Sequence, residues 1–247
     1  MVRVRADQLL VHRGLAESRE SARRLIMAGR ARSGTLTLVK PATMLDESAP
    51  LGLTEVEPYV SRGGRKLEAA LETFGVDVID LRCLDVGAST GGFTDCLLQR
   101  GAASVFAVDV GRGQLHQKLR DDMRVTVMER TNARNLPELP PLDFFVADVS
   151  FISLRKVLPS VAERLPSRSS GVVLLKPQFE AGPADVPRGG VVRDEAVRQR
   201  VLEDFRRWAF DAGWQVLDWA DCAIKGDRGN REMVLYMRSP TRAELSC

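Results

Sequence analysis

Two lysines and two carboxylates stand where a sheet would deliver them to one place. Lys66 follows the stretch Ser61-Arg62-Gly63-Gly64-Arg65. Asp148 ends the apolar run Phe144-Phe145-Val146-Ala147, Lys176 ends Val172-Val173-Leu174-Leu175, and Glu232 precedes Met233 at the start of a last apolar run. Ligands in open parallel sheets bind beyond the carboxyl ends of the strands, which predicts that Asp148 and Lys176 meet there. A last strand running antiparallel brings its beginning, Glu232, to the same edge. A lysine that follows four apolar strand residues and lies beside a second cation loses proton affinity and could act as a base. Singly, each residue fits a structural salt bridge or a capped strand end. As a set at sheet-end positions, the four read as a catalytic cluster.

A second constellation lies in Leu84-Asp85-Val86-Gly87-Ala88-Ser89-Thr90-Gly91-Gly92-Phe93-Thr94-Asp95. A strand runs into a glycine-rich turn, and a helix starts at about Phe93. Glycines let the backbone approach a nucleotide closely, and a helix N-terminus offers free N–H donors. The next strand ends Val105-Phe106-Ala107-Val108-Asp109. An acid at a strand end roughly 20 residues beyond the glycines is placed to hold a ribose diol. Together these features indicate an adenosine-containing cofactor. The spacing departs from G-x-G-x-x-G, which disfavours a pyrophosphate but leaves NAD and S-adenosylmethionine both open.

Such residues need a doubly wound sheet to position them. Strand-like runs occur at Leu81–Val86, Val105–Val110, Phe144–Asp148, Val172–Lys176, Trp214–Trp219 and Met233–Met237. Helical stretches lie between them, near Lys66–Phe74, Phe93–Arg100, Leu154–Arg164 and Arg193–Asp211. This alternation predicts an α/β domain whose mostly parallel sheet is covered on both faces. The polar, proline-broken segment Glu57-Pro58-Tyr59-Val60 reads as a linker. The expected organisation is a small domain over 1–57, a linker over 58–61 and the α/β domain over 62–247.

The small domain carries an uneven charge. Residues 1–40 hold nine bases (Arg3, Arg5, Arg13, Arg19, Arg23, Arg24, Arg30, Arg32, Lys40) and three acids, net +6, whereas the whole chain of 247 residues is only +3. A basic block on a slightly acidic body points to a polyanionic partner. Asp7 is expected to cap a short helix through Leu9, Leu10 and Val11, ended by Gly14. Ser18 is expected to cap a second helix to about Ala28, with Ala22, Leu25 and Ile26 on its apolar face and arginines opposite. A β-like stretch is expected around Thr35–Val39.

Composition narrows the function classes. Hydrophobic content of 44% and charged content of 28% exclude disordered, collagen-like and disulfide-scaffold chains. No apolar run approaches the ~18 residues of a membrane helix. The start of the chain lacks the apolar core of a secretory leader, so a cytoplasmic protein is expected. Cys83, Cys96, Cys222 and Cys247 form no CxxC pair, and His12 and His116 each stand alone. Neither a zinc site nor Ser-His-Asp chemistry is expected.

The Lys-Asp-Lys-Glu set at positions 66, 148, 176 and 232 resembles the tetrad of FtsJ-type ribose 2′-O-methyltransferases. More specifically, Val60 to Gly64, Asp85 to Thr94, Glu129 to Asn132, Asp148 to Leu154, Lys176 to Glu180 and Gly189 to Asp194 look like the TlyA family. Its members are rRNA cytidine 2′-O-methyltransferases often labelled haemolysins. Arg5-Ala6-Asp7, Ser18-Arg19 and Ala28-Gly29-Arg30 resemble that family's S4 RNA-binding domain. The fold implied is a Rossmann-like class I S-adenosylmethionine-dependent methyltransferase sheet preceded by a small α+β S4-like domain. The implied substrate is ribosomal RNA or a ribosomal subunit, with neither metal nor membrane. The implied target is a cytidine of large-subunit rRNA, with small-subunit rRNA as a second candidate. The short stretch after Glu232 leans towards the first.

The resemblance also implies roles. Lys176 would be the base or would position the ribose 2′-OH, with Asp148 and Glu232 holding Lys176 and Lys66. The cofactor would lie against Asp85, Gly87, Ala88, Ser89, Thr90, Gly91, Gly92, Phe93 and Asp148. Asp109 would take its ribose, and Asn132 or Ala133 its adenine. Arg5, Arg19, Arg23, Arg30, Arg62 and Arg65 would take RNA phosphates. Phe151 is a candidate platform for the target base, though a core aromatic is its expected role. Two departures from the family stand out. Arg30-Ala31-Arg32-Ser33-Gly34 replaces a valine-rich strand, which predicts a weakened strand, and Cys222-Ala223 replaces Ser-Pro. Rival functions are an NAD-dependent oxidoreductase, an RNA-binding module with a degenerate cofactor fold and a pore-forming haemolysin.

Overall fold

The computed structural model describes residues 2–54, 57–226 and 229–241, and Cys247 lies outside them. The chain forms two compact units, Met1–Glu57 and Pro58–Cys247.

The first unit runs β1 (Arg3–Arg5), α1 (Ala6–His12), α2 (Arg19–Met27), β2 (Ala31–Ser33), β3 (Leu36–Thr37), β4 (Met44–Asp46) and β5 (Leu51–Leu53). Its core gathers Ala6, Leu10, Ala22, Ile26, Ala31 and Leu38. Ser18 caps α2 as expected, accepting from the Ser21 N–H at 3.2 Å. Asp7 is not a cap. Arg5 occupies the N-cap of α1, while the fully buried Asp7 carboxylate pairs with Arg5 at 2.9 Å and Arg19 at 3.5 Å. A buried carboxylate needs such partners, which explains the two arginines' inward reach. Arg23 and Arg24 are both exposed. The strand expected to be weak does form. β2 is the central strand of a β3-β2-β5 sheet, because burying Ala31 alone satisfies the core while Arg32 faces solvent. The expected stretch Thr35–Val39 contributes only β3.

The second unit runs α3 (Arg62–Phe74), β6 (Arg82–Val86), α4 (Gly92–Gln99), β7 (Ser104–Val108), α5 (Gln117–Arg120), β8 (Val125–Met128), β9 (Phe144–Ala147), a 3-10 turn (Leu154–Lys156), α6 (Leu158–Arg164), β10 (Ser170–Leu175), α7 (Pro177–Glu180), α8 (Glu195–Asp211), β11 (Gln215–Asp221) and β12 (Met233–Arg238). Among the described residues, seven strands form one sheet in the order β11-β12-β10-β9-β6-β7-β8. The strands from β10 to β8 are parallel, and β12 is antiparallel to both its neighbours. Successive side chains alternate between two cores. Phe145, Ala147, Val173 and Leu175 pack with α6 and α8, whereas Phe144, Val146, Val172 and Leu174 pack with α3 and α4. This two-sided burial is why the strands read as unbroken apolar runs.

The segment 58–61 is not a free linker. The Tyr59 ring joins the core beside α3, its hydroxyl donating to Glu68 at 2.7 Å, and the Val60 N–H donates to Asp95 at 2.9 Å. Among the described residues, no helix is long and apolar enough to cross a membrane.

Candidate active site

The sheet delivers four charged residues to its carboxyl edge. Asp148 follows β9 and Lys176 follows β10. In the antiparallel pair β10–β12, Leu175 lies opposite Met233, so Lys176 and Glu232 each stand one residue beyond the ladder at the same edge. Lys66 reaches this edge from the first turns of α3. Its Nζ lies 2.5 Å from Glu232 Oε2, and Lys176 Nζ lies 2.6 Å from Asp148 Oδ1. Ser150, which the sequence reading did not single out, accepts from Lys176 Nζ at 2.9 Å. Lys176 and Glu232 are buried, and all four residues line one cavity of about 640 Å³.

The pairing has an electrostatic consequence. Burial lowers the proton affinity of Lys66, but attraction to Glu232 and then to Asp148 outweighs it, leaving the pKa above its ordinary value. Lys66 is therefore a fixed cation on the cavity wall.

The glycine turn supplies another part of the wall, through Gly87, Ala88, Ser89, Thr90, Gly92 and Phe93. Gly87 has φ +87°, and a Cβ there would lie 2.7 Å from the Asp148 carbonyl oxygen. A Cβ at Gly92 would clash with Ser61 Oγ, so that glycine lets the starts of α3 and α4 touch. Asp85 does not line the cavity. It is fully buried, one oxygen accepts from the Thr94 hydroxyl at 2.6 Å, and the other has no hydrogen-bond partner among the described residues. Burial pushes its pKa up to about 7.

The residues expected around the adenosine do not themselves line this cavity. Asp109 follows β7 and accepts from the Ser89 N–H at 2.8 Å and the Gly111 N–H at 2.7 Å, tying the glycine turn to the next strand. Asn132 closes a local turn by accepting from the Arg134 N–H at 3.0 Å, and Ala133 packs against the core. None of these three, nor Gly91, lines the cavity.

Phe151 overturns its expected role as a core aromatic. It is 92% exposed, sits on the cavity rim, and has a left-handed φ of +64°. Its ring lies 5.3 Å from that of Phe179. Arg62 is exposed on the same cavity, and Arg65 is half-buried. In the first unit Arg5, Arg19 and Arg23 are exposed to differing degrees and Arg30 is half-buried.

A family model described as FtsJ-like methyltransferase matches residues 59–239. The chain is 48% identical to the 16S/23S rRNA (cytidine-2′-O)-methyltransferase TlyA of Mycobacterium tuberculosis, over 99% of this chain and 93% of that one. It is 36% identical to the 23S rRNA (cytidine-2′-O)-methyltransferase TlyA of Campylobacter jejuni, over 73% of this chain and 71% of that one. A solved structure of a hemolysin candidate from Streptococcus thermophilus aligns over all of this chain and 94% of its own, with 40% identity and a TM-score of 0.73. The matched region holds the whole sheet and both lysine–carboxylate pairs, and on these grounds the chain belongs to the FtsJ-like methyltransferase family, in its TlyA branch.

Proposed function

We propose that the protein transfers a methyl group from S-adenosylmethionine to the ribose 2′-hydroxyl of a cytidine in ribosomal RNA, in the cytoplasm. The observation that carries this reading is that two lysine–carboxylate contacts and a glycine turn line one cavity. Large-subunit rRNA is the proposed target because both named relatives share it, with small-subunit rRNA as a second substrate.

The residues fit the cofactor. The cavity volume lies within the usual range for small-molecule sites, roughly 300–1,000 Å³. The wall formed by Gly87–Thr90 carries only small side chains. Asp109 already accepts two N–H groups, but a carboxylate offers about four acceptor sites, so capacity remains for a ribose diol. When bound, S-adenosylmethionine supplies an electrophilic methyl on a sulfonium.

The chain's own residues then have the following tasks. Lys176 donates to Ser150 and is ion-paired with Asp148, and its remaining hydrogen-bonding capacity orients the 2′-oxygen or receives its proton. Lys66 stabilises charge developing on that oxygen, while Glu232 and Asp148 balance the two lysines. Alignment of the attacking oxygen with the methyl supplies most of the acceleration. The first unit is proposed as an S4-like RNA-binding module, and its arginines, with Arg62 and Arg65, take phosphates. The target cytidine must leave its stack, and exposed Phe151, backed by Phe179, offers a face on which its base lies.

The test is transfer of labelled methyl from S-adenosylmethionine to rRNA and to ribosomal subunits, followed by mapping of 2′-O-methyl marks. We expect one methylated cytidine in large-subunit rRNA. A folded, cofactor-binding protein that labels no rRNA in either form would defeat the reading. Calorimetric binding of NAD instead of S-adenosylmethionine would favour the oxidoreductase alternative.

A further inference from the structure

We propose that Glu180 is a positioning residue for the target nucleotide, acting through the loop that carries Ser150 and Phe151. This rests on the functional reading above, in which Phe151 receives the base.

The loop between Asp148 and Ser153 has no regular structure, and it holds Phe151 in a left-handed conformation. For a bulky residue that conformation is strained and persists only where the surroundings over-determine it. Here one short segment after β10 fastens the loop at two points. At the near end, Lys176 Nζ holds Asp148 and Ser150 at 2.6 and 2.9 Å. At the far end, Glu180 accepts from the Ser153 hydroxyl at 2.6 Å and the Leu154 N–H at 2.7 Å. Arg155 Nε stands 3.8 Å from the same carboxylate. Lys176 and Glu180 are four residues apart across the single turn of α7, and Phe179 between them packs on Phe151.

Glu180 does not line the cavity, so it touches no reacting group. Its side chain is only 2% exposed, and burying a carboxylate is costly unless its bonds are needed. A plain cap for the 3-10 turn at Leu154–Lys156 would not require a charge in that place. One oxygen holds Ser153, the last residue of the loop that presents Phe151, and the other holds Leu154, the first residue of the turn that follows it. The strained aromatic is thus held between two anchors on one segment, which fixes the distance from base to ribose.

The test is a double-mutant cycle on rRNA methylation with Glu180→Ala, Phe151→Ala and the double variant. S-adenosylmethionine affinity by calorimetry and thermal midpoints accompany it. We expect Glu180→Ala to lower kcat/KM for rRNA about tenfold or more with cofactor affinity within about twofold of wild type. In the Phe151→Ala background the Glu180 effect should largely vanish, because both act through one element. Glu180→Gln keeps one acceptor oxygen and should recover part of the loss. If Glu180→Ala does not fold, Glu180→Gln carries the cycle. Wild-type kcat/KM in these variants, or losses that multiply in the double variant, overturns the proposal while the functional reading stands. A wild-type protein that methylates no rRNA overturns the functional reading and this one with it.

Discussion

Lys66 and Glu232 are 166 positions apart and meet at 2.5 Å. The contact joins the start of α3 to the start of β12, and it decides the charge of a buried lysine. Burial acts to neutralise Lys66, and Glu232 is the main force opposing it. In Glu232→Gln that opposition is lost and the Lys66 pKa falls. The alkaline limb of the pH–rate profile should then move to lower pH, and kcat at neutral pH should drop. An unshifted limb would show that Lys66 does not contribute as a cation.

Lys176→Ala should abolish methyl transfer while leaving S-adenosylmethionine affinity nearly unchanged. The side chain holds Asp148 and Ser150, and it makes no contact with the glycine turn among those described. Labelled methyl transfer and calorimetry on the same preparation separate the two effects. Near-normal turnover would end its assignment.

Asp109→Ala should weaken the cofactor several-fold or more. It removes a proposed acceptor for the ribose and also releases the Ser89 N–H, which holds the glycine turn in place. Unchanged affinity by calorimetry would make Asp109 a purely structural stitch.

Asp85 predicts a pH dependence of stability. Its folded pKa is about 7 against an ordinary 3.8. Between those values the unfolded chain has released the proton and the folded chain still holds it, so stability falls as pH rises through the window and levels off above about 7. Asp85→Asn keeps an acceptor for Thr94 and removes this term. The thermal midpoint of the cofactor-free variant should therefore gain on wild type as pH rises from about 4 to about 7. A difference constant across that range would contradict it.

In the first unit, Arg23→Glu with Arg24→Glu should reduce rRNA affinity and flatten its salt dependence without unfolding, since both side chains are exposed. Arg19→Glu is a different experiment. It sets a carboxylate against buried Asp7, 3.5 Å from the present guanidinium, and should lower the first unit's thermal stability as well. Equal rRNA binding by wild type and the Arg23/Arg24 variant at every salt concentration would remove RNA binding from this helix face.

Asp148, Lys176 and Glu232 were legible because each borders an apolar run, and a sheet's geometry says where such residues go; Lys66, on a polar, glycine-rich helix start, carries no such mark. The parallel strands β6, β7, β9 and β10 were legible for the same reason, to within a few residues. β8 was missed because its apolar run is only four residues long, and at the sheet edge it is incompletely buried. Tyr59 and Val60 read as linker because their burial depends on α3 and on Asp95, neither of which local sequence reveals. Asp7 looked like a cap because a buried acid beside a helix start has the same local text. Ser150 and Glu180 were silent because their partners come from different strand ends, and only the pairing of β9 with β10 brings those ends together.

β12 comes last among the described strands, yet it lies between β11 and β10. A chain leaves the ribosome N-terminus first. While β12 is still being made, β11 has no neighbour to join and Lys66 has no Glu232. The Lys66–Glu232 pair therefore forms only once the last-made of these strands has entered the gap between β10 and β11, so the charged wall of the cavity is completed late in folding.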